Sequence, residues 1–335
     1  MKRPTFISAG VALLAIVLIA GAWLTRSKPP AYTGPIEQIT LGSSPNSYSL
    51  LLVLAEERGF FAQNGLDVSI KEYETGHLAV THLLRGDVDV ATAADYVFMN
   101  ASLEHNDLRI ITSIATSGSE EVVARKDKGI EQPADLRGKR IGVCLNTATE
   151  FTLMRFLLFN RIPLDEVTLV NLSPSQLVES ISNGEVDAII SWEIWVYEAK
   201  ERLQEKALSW PARIGQGFYW LVVAGNDFIQ AKVSLMERFL RAIVQAEEFA
   251  QTHRAEAQSL VATRWKREPA FVEHEWEKNK YSVSLDQGLI VAMEGEADWR
   301  IKSNPGDKRD VPNYLRLIYM DALNAVKPEA NTIFR

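Results

Sequence analysis

From Glu37 onward, short apolar runs alternate with stretches whose apolar positions recur at helical spacing. The pattern predicts a strand over 38–42 (Gln-Ile-Thr-Leu-Gly), a polar loop Ser43–Ser49, and a helix over 50–63 closed by Asn64-Gly65. A strand at 66–74 follows, then a short helix at 76–85 ended by Gly86, a strand at 87–92, a helix at 94–103 and a strand at 108–116. The plan then restarts. A strand at 139–145 leads through the polar loop 146–149 to a helix at 150–160. A strand at 167–172, a helix at 175–183 ended by Gly184, a strand at 185–191 and a helix at 193–203 complete it. A further apolar strand covers 217–228, and helices are predicted at 233–252, 255–266, 270–278, 286–302 and 312–325.

Two echoes relate the halves. "LLRGDVDVAT" (83–92) and "SISNGEVDAII" (180–190) share a helix end, a glycine, an acid and an apolar strand. The glycine suits a left-handed helix terminus, which other residues adopt only at a cost. Strands alternating with helices imply mostly parallel sheets, so the pattern reads as two Rossmann-like α/β lobes followed by a helical part. In such sheets ligands bind beyond the carboxyl ends of the strands. Two lobes facing each other make a cleft there.

The first 36 residues do not fit this plan. Lys2 and Arg3 precede an uncharged apolar run from Phe6 to Leu24, and Arg26, Lys28, Pro29 and Pro30 follow it. This is the pattern of an export signal, either cleaved, with Ala20-Gly21-Ala22 as a candidate site, or retained as a membrane anchor. No cysteine follows the run, so lipidation there is not expected. Residues 26–36 read as a tether, and the rest of the chain is placed outside the cytoplasm, in the periplasm or its equivalent. The expected domains are 1–36, then a first lobe of 37–117 plus 222–335, and a second lobe of 118–221.

Composition narrows the chemistry. The net charge of −7 and the lack of a basic patch argue against nucleic-acid binding. Cys144 is the single cysteine, so no intrachain disulfide can form. The five histidines (His77, His82, His105, His253 and His274) make no pair with metal-ligand spacing. Neither a metal, nor a cofactor, nor a nucleophile triad is expected.

The candidate site lies in the loops that open helices. They are Ser43–Ser49, Ala93–Tyr96, Asn146–Glu150 and Ser191–Glu193, with Gly76-His77 opening a fifth helix nearby. Helix starts carry unpaired N–H groups and partial positive charge, which suit an anionic group. Each hydroxyl or acid there is also an ordinary cap. Thr147-x-x-Glu150 fits a capping box with Glu150 reaching the Thr147 N–H, Ser173-x-x-Gln176 fits another, and Asp95 could cap its own helix. The functional case therefore rests on convergence. Asp95, Glu150 and Glu193 near the mouth add a preference for a ligand that also carries an ammonium or N–H group. In the stretch Trp192-Glu193-Ile194-Trp195, Trp192 is placed on the cleft wall, Glu193 on the helix dipole and Trp195 in packing. Trp265, Trp276 and Trp299 are expected to be packing residues.

Three stretches in order, "LAEERGFFAQNGLDVSI", "ADLRGKRIGV" and "SNGEVDAIISWEIW", resemble the periplasmic substrate-binding proteins of nitrate/sulfonate/taurine ABC transporters, a family that includes binders of thiamine pyrimidine precursors. The resemblance spans about 37–260. It implies a type II periplasmic-binding-protein fold whose two lobes close over a ligand by a hinge. Carried over by position, it places Ser43, Ser44, Asn46, Ala94, Asp95, Asn146, Thr147, Thr149 and Trp192 on the cleft. His77 and Glu150 join them from the loop reading. Ile194 stands where the family often has proline, and Asn146–Glu150 replaces a Gly/Ser-rich loop. The expected role is delivery of a small sulfonate, taurine-like or nitrate-like solute to a membrane permease and its ATPase. The rivals are a pyrimidine binder, with the base on Trp192 or Tyr96 and bonded to Asp95 or Glu150, an enzyme of pyrimidine synthesis, and a membrane-tethered sensor. The scattered histidines and lone cysteine argue against the enzyme.

Overall fold

The computed structural model describes residues 32–334 except 214 and 216. The apolar run 6–24 and its candidate cleavage site lie outside the described residues. Among the described residues no helix is long and apolar enough to cross a membrane.

Among the described residues eleven strands build two sheets. In chain order they are β1 (Glu37–Ser43), β2 (Leu66–Glu72), β3 (Val90–Ala94), β4 (Leu108–Ser117), β5 (Glu121–Arg125), β6 (Arg140–Val143), β7 (Thr168–Asn171), β8 (Ala188–Ser191), β9 (Ala207–Pro211), β10 (Phe218–Gly225) and β11 (Asn279–Ser284). The first sheet has the order β11-β4-β10-β3-β1-β2 and the second β7-β6-β8-β5-β9. Each has a parallel set, β1–β3 and β6–β8, flanked by antiparallel strands. The chain crosses from the first sheet to the second between β4 and β5, and returns between β9 and β10.

Strand alternation divides the second lobe's core in two. Val122 and Ile190 pack on one face, while Val123 and Ile189 pack on the other. The first lobe has one large core, which the helix Val233–Thr252 covers with Met236, Phe239, Leu240 and Ile243. Trp265, Trp276 and Trp299 pack against this core half-buried. Cys144 is buried, and burial pushes its thiol up to about 12.

Several expectations need correction. The helix over 50–63 breaks into Leu50–Glu57 and Phe60–Gln63, because Gly59 between them is left-handed (φ 66°). The helix over 312–325 shrinks to Asp321–Val326. Ahead of it, the Tyr319 N–H donates to the Ile110 carbonyl (2.8 Å), so the buried stretch of β4 that β11 leaves unpaired captures that backbone. Strands β5, β9 and β11 were not expected. Their short sequences carry little period, and they exist through pairing with β8, β5 and β4.

Candidate functional site

A cavity lies between the two lobes, with about 380 Å³ of space not filled by protein atoms. The first lobe contributes Ser44, Asn46 and Tyr48 from the loop after β1, Thr75 and Gly76 at a helix start, Ala94 and Val97 after β3, and Phe218 and Trp220 from β10. Thr147, Ala148, Thr149 and Trp192 come from the second lobe, and Glu120 from the crossing between the sheets.

Local physics explains how each wall is held. After β1 the chain turns through Ser44–Asn46, where the Asn46 Oδ1 accepts from the Ser49 N–H (3.2 Å) and Ser49 Oγ (3.3 Å). Trp220 Nε1 donates to Ser49 Oγ (3.0 Å), tying this loop to β10. The amide of Asn46 is thereby oriented with its Nδ2 donor free of any partner among the described residues. Ser44 Oγ is buried and also without a partner. Thr75 Oγ1 caps its helix by accepting from the Leu78 N–H (3.2 Å). Gly76 lets that helix start approach β3, since a Cβ there would lie 2.9 Å from the Ala93 Cα and 3.1 Å from the Trp220 ring. Across the cleft, Thr147 Oγ1 donates to the Cys144 carbonyl (2.7 Å) and pairs with Thr149 Oγ1 (2.8 Å) at the start of the helix Ala148–Phe159.

Of the residues expected at the site, Ser44, Asn46, Ala94, Thr147, Thr149 and Trp192 border this cavity. The other five do not. Ser43 sits behind the wall, bonded to Ser49 Oγ (3.0 Å) and Thr92 Oγ1 (2.9 Å). His77 is half-buried beside Gly76, and burial holds its imidazole below the usual range. Asn146 is exposed in a left-handed turn (φ 61°), with its N–H donating to Glu150 Oε2 (2.7 Å). Glu150 thus caps the loop one residue earlier than the capping box assigned, while the Ser173–Gln176 box forms as expected. Asp95 turns away from the cleft. Its Oδ1 accepts from the Tyr96 N–H (2.9 Å) and its Oδ2 from the Tyr219 N–H (3.0 Å). Burial pushes its carboxyl up to about 6, against the pull of Arg213. Tyr96 is fully buried and stacked on Phe151 (5.7 Å), so it offers no face to a ligand.

Glu193 departs most from expectation. It opens its helix as expected, and its carboxylate also crosses the cleft, where Oε1 accepts from the Ser47 N–H and Ser47 Oγ, both at 2.9 Å. Glu74 makes the reverse crossing and accepts from the Ser175 N–H (3.2 Å) and Ser175 Oγ (2.8 Å). Other links across the lobes are Arg267–Glu198 (3.2 Å) and the Phe151 ring against Trp299 (5.4 Å). Burial raises the Glu193 carboxyl, and Glu275 is pushed up to about 8 by its own burial and then by the nearby Glu193.

Glu120 was not expected. It is 1% exposed and is the sole carboxylate on the cavity wall among the described residues. Its Oε2 accepts from Thr152 Oγ1 (2.7 Å) and Arg213 Nε (2.8 Å). Phe218 and Trp220 were expected only as parts of a strand. Their period-2 spacing on β10, which puts both on one face, was the available signal.

Residues 46–257 match the family model described as NMT1/THI5 like. The chain belongs to that family. It is 24% identical over 302 residues to a Brucella abortus (strain 2308) chain that bears only a general binding-protein name, with 89% of each chain covered. It is also 24% identical over 202 residues to the taurine-binding periplasmic protein of Escherichia coli (strain K12), covering 58% of this chain and 61% of that one. The alkanesulfonate-binding protein of Xanthomonas axonopodis pv. citri, solved bound to MOPS, superposes with a TM-score of 0.73 at 21% identity, covering 86% of this chain and 99% of that one. The fold of this family member is the periplasmic-binding-protein fold, with two α/β lobes.

Proposed function

We propose that this chain is the extracytoplasmic solute-binding component of an ABC importer, and that it closes two lobes over a small sulfonate, taurine-like or nitrate-like solute. The observation that carries this reading is the interlobe cavity, walled by the buried Ser44 Oγ, which has no partner among the described residues, and by Asn46. Helix starts at Gly76 and Ala148 add free N–H groups to it. Among the described residues no Lys or Arg borders the cavity. Neutral donors and helix ends favour a singly charged head group over a doubly charged one, which would need a cation to offset its desolvation.

The lobes would be 37–117 plus the chain from β10 onward, and the segment between them, hinged at the two chain crossings, which puts the second boundary before Phe218 rather than at 222. Closure would sequester the solute and create the surface read by the permease and its ATPase. The run 6–24 would export the chain and, where uncleaved, tether it to the membrane. The names of the taurine- and alkanesulfonate-binding relatives support the solute class. The aromatic lining of Trp192, Phe218 and Trp220 favours a second reading, a neutral pyrimidine held between rings.

Thermal denaturation of the purified protein with sulfonates, nitrate and pyrimidines tests the proposal. A ligand at 100 times its Kd should stabilise the fold by about 2.7 kcal/mol and raise Tm accordingly. A shift with pyrimidines alone selects the second reading. Turnover of a bound compound overturns both.

A further inference from the structure

Beside the cavity, the lobes meet in a second polar cluster where hydrogen-bond donors run short. The second lobe contributes Glu193, and the first contributes Ser47, Glu275, Asn279 and Tyr281. Glu193, Glu275 and Asn279 are 3%, 2% and 8% exposed. Ser47 gives its N–H and its Oγ to Glu193 Oε1. Asn279 Nδ2 gives to the Glu275 carbonyl (2.8 Å), Ser47 Oγ (3.2 Å) and the Tyr281 hydroxyl (3.2 Å), and the carbonyl contact fixes which way the amide points. The Tyr48 hydroxyl, close to Glu193, is bonded to Ser119 Oγ (2.9 Å). Three acceptors are left over. Glu193 Oε2, Glu275 Oε2 and Asn279 Oδ1 are buried and have no partner among the described residues. Buried acceptors are rarely left so, and three in one cluster call for a donor from outside the chain.

Charge is out of balance at the same place. Glu121 of β5 stands nearby, with Lys200 of the helix Glu193–Leu203 and Lys278 of the helix Pro269–Lys278. Both lysines pair with Glu121, Lys278 at 3.5 Å, and Lys278 is 3.8 Å from Glu275 Oε1. Three carboxylates therefore face two ammonium groups. His274 adds no fixed charge, since partial burial and then Lys278 lower its imidazole. Burial holds Tyr48 and Tyr281 neutral, and Arg254 on the neighbouring helix is taken up by Glu277. One proton answers both shortages. It turns one orphan oxygen into a donor for another and removes the surplus charge.

We propose that closure of the lobes takes up one proton from solvent, which Glu275 Oε2 then donates to Glu193 Oε2, so that falling pH favours the closed form and rising pH releases it. Opening exposes both carboxylates to water and returns the proton. This is a regulation of the solute-binding reading above, and rests on it wherever a solute is the readout. Burial, and then Glu193, raises the closed-form Glu275 carboxyl from 4.5 to about 8. Wetting returns it toward 4.5, so closure gains a proton between these values and loses that advantage as pH rises through about 8. A divalent metal fits less well, because calcium takes about six to eight oxygen ligands and the cluster has three free.

Two measurements on the full chain test this. In ligand-free protein, hydrogen exchange over residues 44–52, corrected for the intrinsic rate, reports whether the Ser47 N–H is held. Its protection should drop as pH passes about 8, and Glu275→Gln, whose amide mimics the protonated acid, should keep it. Calorimetry with ethanesulfonate or nitrate, neither of which titrates in this range, should show uptake approaching about one proton per solute near pH 7, read from heats in buffers of different ionisation enthalpy. Affinity should weaken by up to about tenfold per pH unit from about pH 6 to 8, and in Glu275→Gln it should hardly change. The wild-type arms stand alone should the variant fail to fold. Protection independent of pH, together with heats independent of buffer, overturns the proton and leaves the solute-binding reading standing. A pH dependence unchanged in Glu275→Gln overturns the role of Glu275. Protection restored by calcium at high pH and lost with a chelator assigns the acceptors to a metal and overturns the proton as well. If neither solute binds, the solute-binding reading falls for both, and the exchange measurement alone decides the clasp.

Discussion

Asp95 and Glu193 hold matching places in the two lobes. Asp95 opens the helix after β3, and Glu193 opens the helix that Trp192 caps after β8. Both are buried and both accept two hydrogen bonds on the carboxylate. Their partners differ. Asp95 stays within its own lobe and locks the helix start to Tyr219 of β10. Glu193 reaches across to Ser47 and locks one lobe to the other. One acid is part of a domain, and the other is part of a conformation. An acid at a helix start is visible in the sequence as a place near the cleft. Its partner is set by how the lobes meet.

Substitution should separate these two roles. Asp95→Ala removes the acceptor for two backbone N–H groups and one carboxylate beside the buried Arg213, and should destabilise the fold by about 3–5 kcal/mol in chemical denaturation. Glu193→Ala should leave each lobe folded with a smaller loss, about 1–3 kcal/mol. Its main effect should be roughly tenfold weaker ligand binding by calorimetry, because the closed form loses its buried clasp. A loss of stability as large as that of Asp95→Ala would remove the distinction.

The pH dependence offers a subtler probe. Glu275, beside Glu193, has a folded carboxyl raised from 4.5 to about 8, and Asp95 is raised from 3.8 to about 6. The folded state then holds protons that the unfolded chain releases earlier. Both groups contribute their full stabilisation below their ordinary values and lose it as pH rises through the folded ones. Tm should therefore fall from about pH 5 to pH 8. Glu275→Gln should flatten the upper part of that decline, and a Tm that rises over this range contradicts the assignment. The smallest effect is expected at Glu74→Ala. That clasp is exposed on both sides, so less than about 1 kcal/mol and a few-fold change in affinity should follow.

Legibility followed the range of the interactions. The strand–loop–helix plan, the left-handed glycines at 86 and 184, and Trp192 at a strand end depend on neighbours in sequence, and each could be placed from the chain. The lining hydroxyls Ser44, Thr147 and Thr149 followed from the same loops. Glu120 did not, because nothing near it in sequence marks it. Its neighbours Thr152 and Arg213 are 32 and 93 residues away. The strands β5 and β11 were hidden for the same reason, as each is defined by a partner rather than by its own composition.

Ala148 and Phe151 carry a thermodynamic consequence. They belong by chain to the second lobe, yet they are buried in the first lobe's hydrophobic core, with Phe151 between Tyr96 and Trp299. Parting the lobes would wet these side chains together with the rings they touch. The heat of ligand binding should therefore become more exothermic on warming, by more than the surface of a small solute accounts for. The excess heat capacity would measure how far the molecule opens between one solute and the next.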